Sequence, residues 1–251
     1  MDKNEHSIFA YVMDQLDENG IYQGGALIDD PTPSLPRPLG SDDAYIYTAE
    51  MPPDLPGAEA VCSMLLAYAD EPSATAKAVL EEALIKILCV SVCDPLVELL
   101  SEDEVPEPLL ALAEDWLYTA HKRELVKYAI VILAVFGLEK LRKEHSENLW
   151  DDLVDLCRCE EFTFFLTFAY RINNIAPQDE LWELVRSTRG WGRIFTLYDL
   201  ECTTEEEEIW LLRHGCEIEI DYAPICLVVM RKGQLLHHCL LYTSDAADDL
   251  T

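Results

Sequence analysis

The sequence predicts an all-α chain, a solenoid of stacked helical hairpins behind an irregular N-terminal arm rich in Pro and Gly. Three observations predict it. Apolar residues recur at the helical period from Gly57 almost to the C-terminus, with no sustained alternation of the kind a half-buried strand shows. The joints between these segments are short and carry helix-ending residues, as at Pro72-Ser73, Asp94-Pro95, Asn173-Asn174 and Gly215. Trp116, Trp150, Trp182 and Trp210 return at spacings of 34, 32 and 28 residues, each beside an apolar residue and just after acidic or amide ones. A period of roughly 30 to 40 residues is what stacked hairpins produce, because each buries its apolar face only against its neighbours.

In chain order, residues Glu5 to Asp17 can form an amphipathic helix with Ile8, Tyr11, Val12 and Leu16 on one face, ended by Asn19-Gly20. From Gly20 to Gly57 the prolines and glycines concentrate, as in Pro31-Thr32-Pro33 and Pro52-Pro53. That stretch reads as an extended arm with a short strand at Tyr45-Ile46-Tyr47. Helices follow over Ala58–Ala69, Ala74–Val92, Glu107–Ala120, Arg123–Lys143, Glu147–Arg158 and Phe162–Ile172. Gln178–Ser187, Arg193–Leu200, Thr204–His214 and a weaker segment near Tyr222–Met230 complete the series. The domains expected are 1–57, the first helix plus arm, and 58–238, the helical repeat, with each tryptophan in the first helix of a pair.

The run Gly190-Trp191-Gly192-Arg193-Ile194, then Leu200, Thr204, Trp210-Leu211-Leu212-Arg213 and Gly215-Cys216, resembles a family of uncharacterised bacterial HEAT-like proteins. The resemblance is closest over 185–230 and looser over 58–185, through Trp116-Leu117-Tyr118 and Glu161-Phe162-Thr163. It implies a HEAT/armadillo-like α-solenoid and no particular chemistry. Residues Cys239 to Asp249 resemble the translation of a sequencing-library transposon adapter. Residues 239–251 are therefore expected to be an artefactual tail, with the natural chain truncated near His238. On that expectation the last pair lacks a capping helix, and an apolar face stands open around Leu227 to Met230.

Charge sets the function classes. Asp and Glu number 48 against 18 Lys and Arg, a formal net charge of −30. Such a surface repels phosphate backbones and anionic membranes and favours basic proteins, so neither nucleic acid nor membrane is an expected partner. The start Met1-Asp2-Lys3-Asn4-Glu5-His6 lacks the basic and apolar runs of a secretory signal, and scattered cysteines fit reduced thiols. The expected location is the cytoplasm.

Candidate chemistry is sparse. Cys89 and Cys93 share a helix face, but within the apolar run Leu88-Cys89-Val90-Ser91-Val92-Cys93 they read as packed thiols, and Cys157-Arg158-Cys159 points its sulfurs apart. No metal or cofactor is expected. Glu205 to Glu208, after Thr203-Thr204, suit a helix N-terminus rather than a carboxylate site. The best candidate for binding is a basic patch around an aromatic: Arg186, Arg189, Trp191, Arg193 and Arg213. No nucleophile elbow or phosphate-binding loop is present, so no catalytic residue is named. The expected function is a non-enzymatic interaction or scaffold module holding a basic or extended protein, one form of which is immunity- or antitoxin-like. The alternative is an enzyme on helical repeats; a nucleic-acid glycosylase of that type needs a basic face that this charge disfavours.

Overall fold

The computed structural model describes residues 6–30, 37–101, 104–144 and 148–240. It is all-helical, with no strand among the described residues and one isolated bridge between Leu16 and Tyr22. The N-terminal segment holds α1 (Ile8–Asp14) and α2 (Ser41–Thr48). Then come α3 (Leu55–Asp70), α4 (Ala74–Leu84), α5 (Cys89–Leu100), α6 (Glu107–Thr119), α7 (Arg123–Phe136) and α8 (Leu138–Glu144). The second half holds α9 (Leu149–Leu156), α10 (Thr163–Ile172), α11 (Gln178–Ser187), α12 (Gly190–Asp199), α13 (Glu205–His214) and α14 (Ile225–Lys232). Residues 235–240 are helical as well. No described helix is long and apolar enough to cross a membrane.

Contacts follow a ladder: α3 touches α5, α5 touches α7, α7 touches α10, α10 touches α12 and α12 touches α14. Beside it, α6 packs on α7, α11 on α12 and α13 on α14. The centre is α7, whose residues Glu124 to Ala134 are all buried, as its nearly unbroken apolar run requires. Each Leu or Phe fully buried in this way contributes roughly 1.5–3 kcal/mol. Aromatic side chains tie successive helices through their polar tips. Trp116 Nε1 on α6 donates to Glu81 Oε1 of α4 at 2.7 Å, and Tyr118 Oη donates to Asp152 Oδ2 of α9 at 2.8 Å. Trp182 on α11 meets Trp210 on α13 edge to face at 5.4 Å, and its Nε1 donates to the Glu201 carbonyl.

Three sequence expectations are corrected. The strand at Tyr45-Ile46-Tyr47 is helical, within α2. The β-preferring trio has no partner strand, whereas Gly40 at φ 74 turns the chain, Asp42 and Asp43 favour the positive end of the helix, and Asp43 and Ala44 are buried. The single helix over Ala74–Val92 breaks after Leu84, and α5 then runs through Asp94-Pro95 instead of ending there. Pro95 has no N–H for the Ser91 carbonyl; Asp54 N donates to that carbonyl instead, at 2.9 Å. The helix over Arg123–Lys143 is divided at Gly137, φ 109. There the Asn173 side chain bridges the break, donating to the Ala134 carbonyl and accepting from Leu138 N.

Thr204 caps α13 as expected. Its hydroxyl accepts from Glu207 N, and Glu207 Oε2 accepts from Thr204 N at 3.0 Å. On α14, Ile225 and Val229 are buried while Leu227 and Met230 are 70% and 44% exposed. The expectations for Pro31-Thr32-Pro33 and for most of the 239–251 tail fall outside the described residues.

Candidate functional site

The most heavily charged place in the fold lies where the N-terminal segment meets α7 and the turn before α10. Lys127, on α7, is fully enclosed. Its Nζ sits 2.8 Å from Asp43 Oδ2 on α2, 3.0 Å from Glu124 Oε1 one turn back on α7, and 2.8 Å from Glu161 Oε1. The α-helical spacing brings Arg123 to the same region. Its backbone N and its guanidinium both engage Asp29, the guanidinium also meets Asp30, and Nη1 reaches Glu161 Oε1 at 3.3 Å. Backbone amides fill two further acceptor positions, while Asp43 Oδ1 is buried with no hydrogen-bond partner. Gly40 N donates to Glu161 Oε2 at 2.8 Å, and Cys89 N, the first amide of α5, donates to Glu124 Oε2 at 2.7 Å.

Two cations therefore face five carboxylates, and the imbalance sets the proton affinities. Burial pushes Asp43 up to about 7, with Lys127 pulling it down and Glu161 and Glu124 pushing it up. Burial also acts to raise Glu161, but Lys127 and Arg123 outweigh it and hold that carboxyl below its ordinary value. For Lys127, burial acts to lower the ammonium, and Asp43, Glu161 and Glu124 together drive it well above the usual lysine value.

A cleft of about 560 Å³ opens beside this cluster. Tyr22 and Gly24 from the N-terminal segment, Arg123, Glu160, Arg189 and Glu219 are among the residues that line it. Glu160 accepts from Arg189 N at 3.2 Å, and burial raises its carboxyl to about 7. Burial thus keeps Glu160 partly protonated near neutrality, whereas both oxygens of Glu161 are taken by Lys127, Arg123 and Gly40 N.

Of the patch expected from sequence, the structure brings only Arg189 to this cleft, where its Nε faces Glu219 at 3.8 Å. Arg186 lies over the rings of Trp182 and Trp210 at 5.0 and 5.5 Å. Trp191 is half-buried against Tyr222, and Arg213 is exposed on α13. Arg193 is buried, with Nε donating to the Val185 carbonyl at 2.9 Å and Nη1 to the Glu217 carbonyl at 2.8 Å. Cys89 and Cys93 are buried in α5, where burial raises both thiols.

Sequence reasoning missed Asp43, Lys127, Glu160 and Glu161. A signal existed for three of them: Lys127 is a lone charge in Val126-Lys127-Tyr128-Ala129-Ile130, and Glu160-Glu161 directly precede the phenylalanine-rich start of α10. Comparison with protein-family models, curated proteins and solved structures finds no match to the chain.

Proposed function

We propose that the chain is a non-enzymatic interaction module of HEAT/armadillo-like hairpins that holds a basic or extended protein partner, in one form as an immunity- or antitoxin-like protein. The ladder from α3 to α14, with a flanking helix at α7, α12 and α14, supports the repeat reading.

The observation that carries the binding reading is the net charge of the chain. Lys127 and Arg123 turn inward onto carboxylates, Arg193 onto carbonyls, and Lys232 Nζ onto the Tyr198 carbonyl at 2.7 Å. Arg158 pairs with Asp155 at 2.9 Å. The five cations named here meet six carboxylates and several carbonyls, so these contacts leave the net charge offered to a partner close to the −30 of the whole chain. Such a field steers cationic proteins into contact and rejects anionic ones. The test is affinity purification of the full chain at low and at raised salt, with bound proteins identified by mass spectrometry. The expected partner is basic and is released by salt. Partners that are acidic, or binding that salt leaves unchanged, overturn the reading.

A further inference from the structure

Two exposed cysteines stand side by side. Cys216, just after α13, and Cys226, in the first turn of α14, have their sulfurs 3.6 Å apart. A disulfide needs about 2.0 Å between sulfurs, so closure requires a shift of roughly 1.5 Å, within reach of side-chain rotation at exposed positions. Cys239 is exposed as well, but the remaining cysteines contrast with this pair. Cys62, Cys89, Cys93, Cys157 and Cys159 are buried, and Cys202 is half-buried.

The segment between the two sulfurs contributes Glu219 and Ile220 to the lining of the cleft. The Ile218 carbonyl accepts from Gly190 N at 2.9 Å, and the Glu217 carbonyl accepts from Arg193. Glu219 faces Arg189, and Ile220 lines the cavity. A bond from 216 to 226 would close this segment into a short ring and restrict its opening.

We propose that Cys216 and Cys226 form a reversible dithiol–disulfide site whose oxidation by a low-molecular-weight disulfide staples the 217–225 segment of the cleft lining. The exchange balances in two steps. One cysteine sulfur, as thiolate, attacks the small disulfide, forming a mixed disulfide and releasing one small thiolate, which takes up a proton. The second cysteine, losing its own proton, then displaces the other small thiol and forms the Cys216–Cys226 bond. The chain loses two protons and two electrons, and one small disulfide becomes two thiols. Burial and the neighbouring Cys226 sulfur raise the Cys216 thiol to about 11, which disfavours the reduced thiolate and so favours a disulfide that resists reduction. The proposal is independent of what the cleft binds.

The experiment equilibrates the full chain in mixtures of reduced and oxidised glutathione, traps free thiols by alkylation and maps the links by mass spectrometry. No Lys or Arg lies between the two cysteines, so trypsin leaves both in the peptide His214 to Arg231, expected two hydrogens lighter after oxidation. Cleavage at Glu217, Glu219 or Asp221 then yields two fragments joined by the disulfide. Cys216→Ser and Cys226→Ser should each abolish the link, and Cys202→Ser and Cys239→Ser should keep it. In the oxidised chain, hydrogen exchange at the Gly190 amide should slow by about tenfold. Glutathione mixed disulfides at both positions, or links that go mainly to Cys202 or Cys239, overturn the pairing. A correct link with unchanged exchange at Gly190 overturns the stapling.

Discussion

Replacing Lys127 with methionine removes the cation that three carboxylates share. At 2.8–3.0 Å and an effective dielectric of about 20, each contact represents roughly 6 kcal/mol of gross attraction. Most of that offsets the desolvation of the charges themselves. Methionine fills similar space but leaves Asp43, Glu124 and Glu161 facing one another, with only Arg123 near, 3.3 Å from Glu161. Removing one partner from a buried ionic group costs about 3–5 kcal/mol. In a chain of this length each 1 kcal/mol moves the melting midpoint by about 2–4 °C, so the Lys127→Met midpoint should fall by roughly 6–20 °C. Thermal melts followed by circular dichroism at neutral pH measure it. Adding Asp43→Asn to the Lys127→Met background should change the midpoint little at neutral pH, because burial already raises Asp43 to about 7 and loss of Lys127 leaves it protonated. A Lys127→Met midpoint within about 2 °C of wild type would refute the reasoning, since the buried carboxylates would then not need their counter-ion.

The same cluster dictates a pH dependence. With Asp43 raised to about 7 from an ordinary 3.8, the folded chain binds more protons than the unfolded one between about pH 4 and 7, so this group's contribution to stability falls as pH rises through that window. Glu160, raised to about 7, acts with the same sign, whereas Glu161, held low, contributes stability that is lost only at more acidic pH. Urea midpoints across the window should therefore decline less steeply in Asp43→Asn than in wild type, and an unchanged slope would argue against a protonated Asp43. At the other end of the fold, Thr204→Ala removes the hydroxyl that accepts from Glu207 N and should cost about 1 kcal/mol. Chemical denaturation gives the loss, and faster hydrogen exchange in the first turn of α13 locates it.

Much of the helical order was legible because its signals are local. The spans Gln178–Ser187 and Glu107–Ala120 were read almost to the residue, since each begins beside a proline and carries a clear apolar stripe. Local signals also misled. Tyr45-Ile46-Tyr47 prefers strand geometry in isolation, but with no partner strand and with Gly40, Asp42 and Asp43 starting a helix, helix is the better solution. Pro95 looks like a terminator until the amide that replaces its missing bond, on Asp54, is seen to come from another element. The site was illegible for the same reason. Asp29, Asp43, Lys127 and Glu161 meet only after the chain has folded back on itself, whereas the Arg186–Arg213 patch looked coherent because its members are close in sequence. Folding distributes those arginines among stacking, carbonyl contacts and solvent.

The span of these contacts bears on how the protein is made. Gly40 bonds Glu161 across 121 residues, and Asp29 bonds Arg123 across 94. A ribosome releases the acidic N-terminal segment first, but the side chains that receive it emerge much later, after roughly 5–25 s of further synthesis at about 5–20 residues per second. During that interval Asp29, Asp30 and Asp43 are without the cations they pair with in the fold. Docking becomes favourable once α7 and the Glu160-Glu161 turn are both in place. The N-terminal segment is the first part of the chain to be synthesised and, on this account, among the last to be seated.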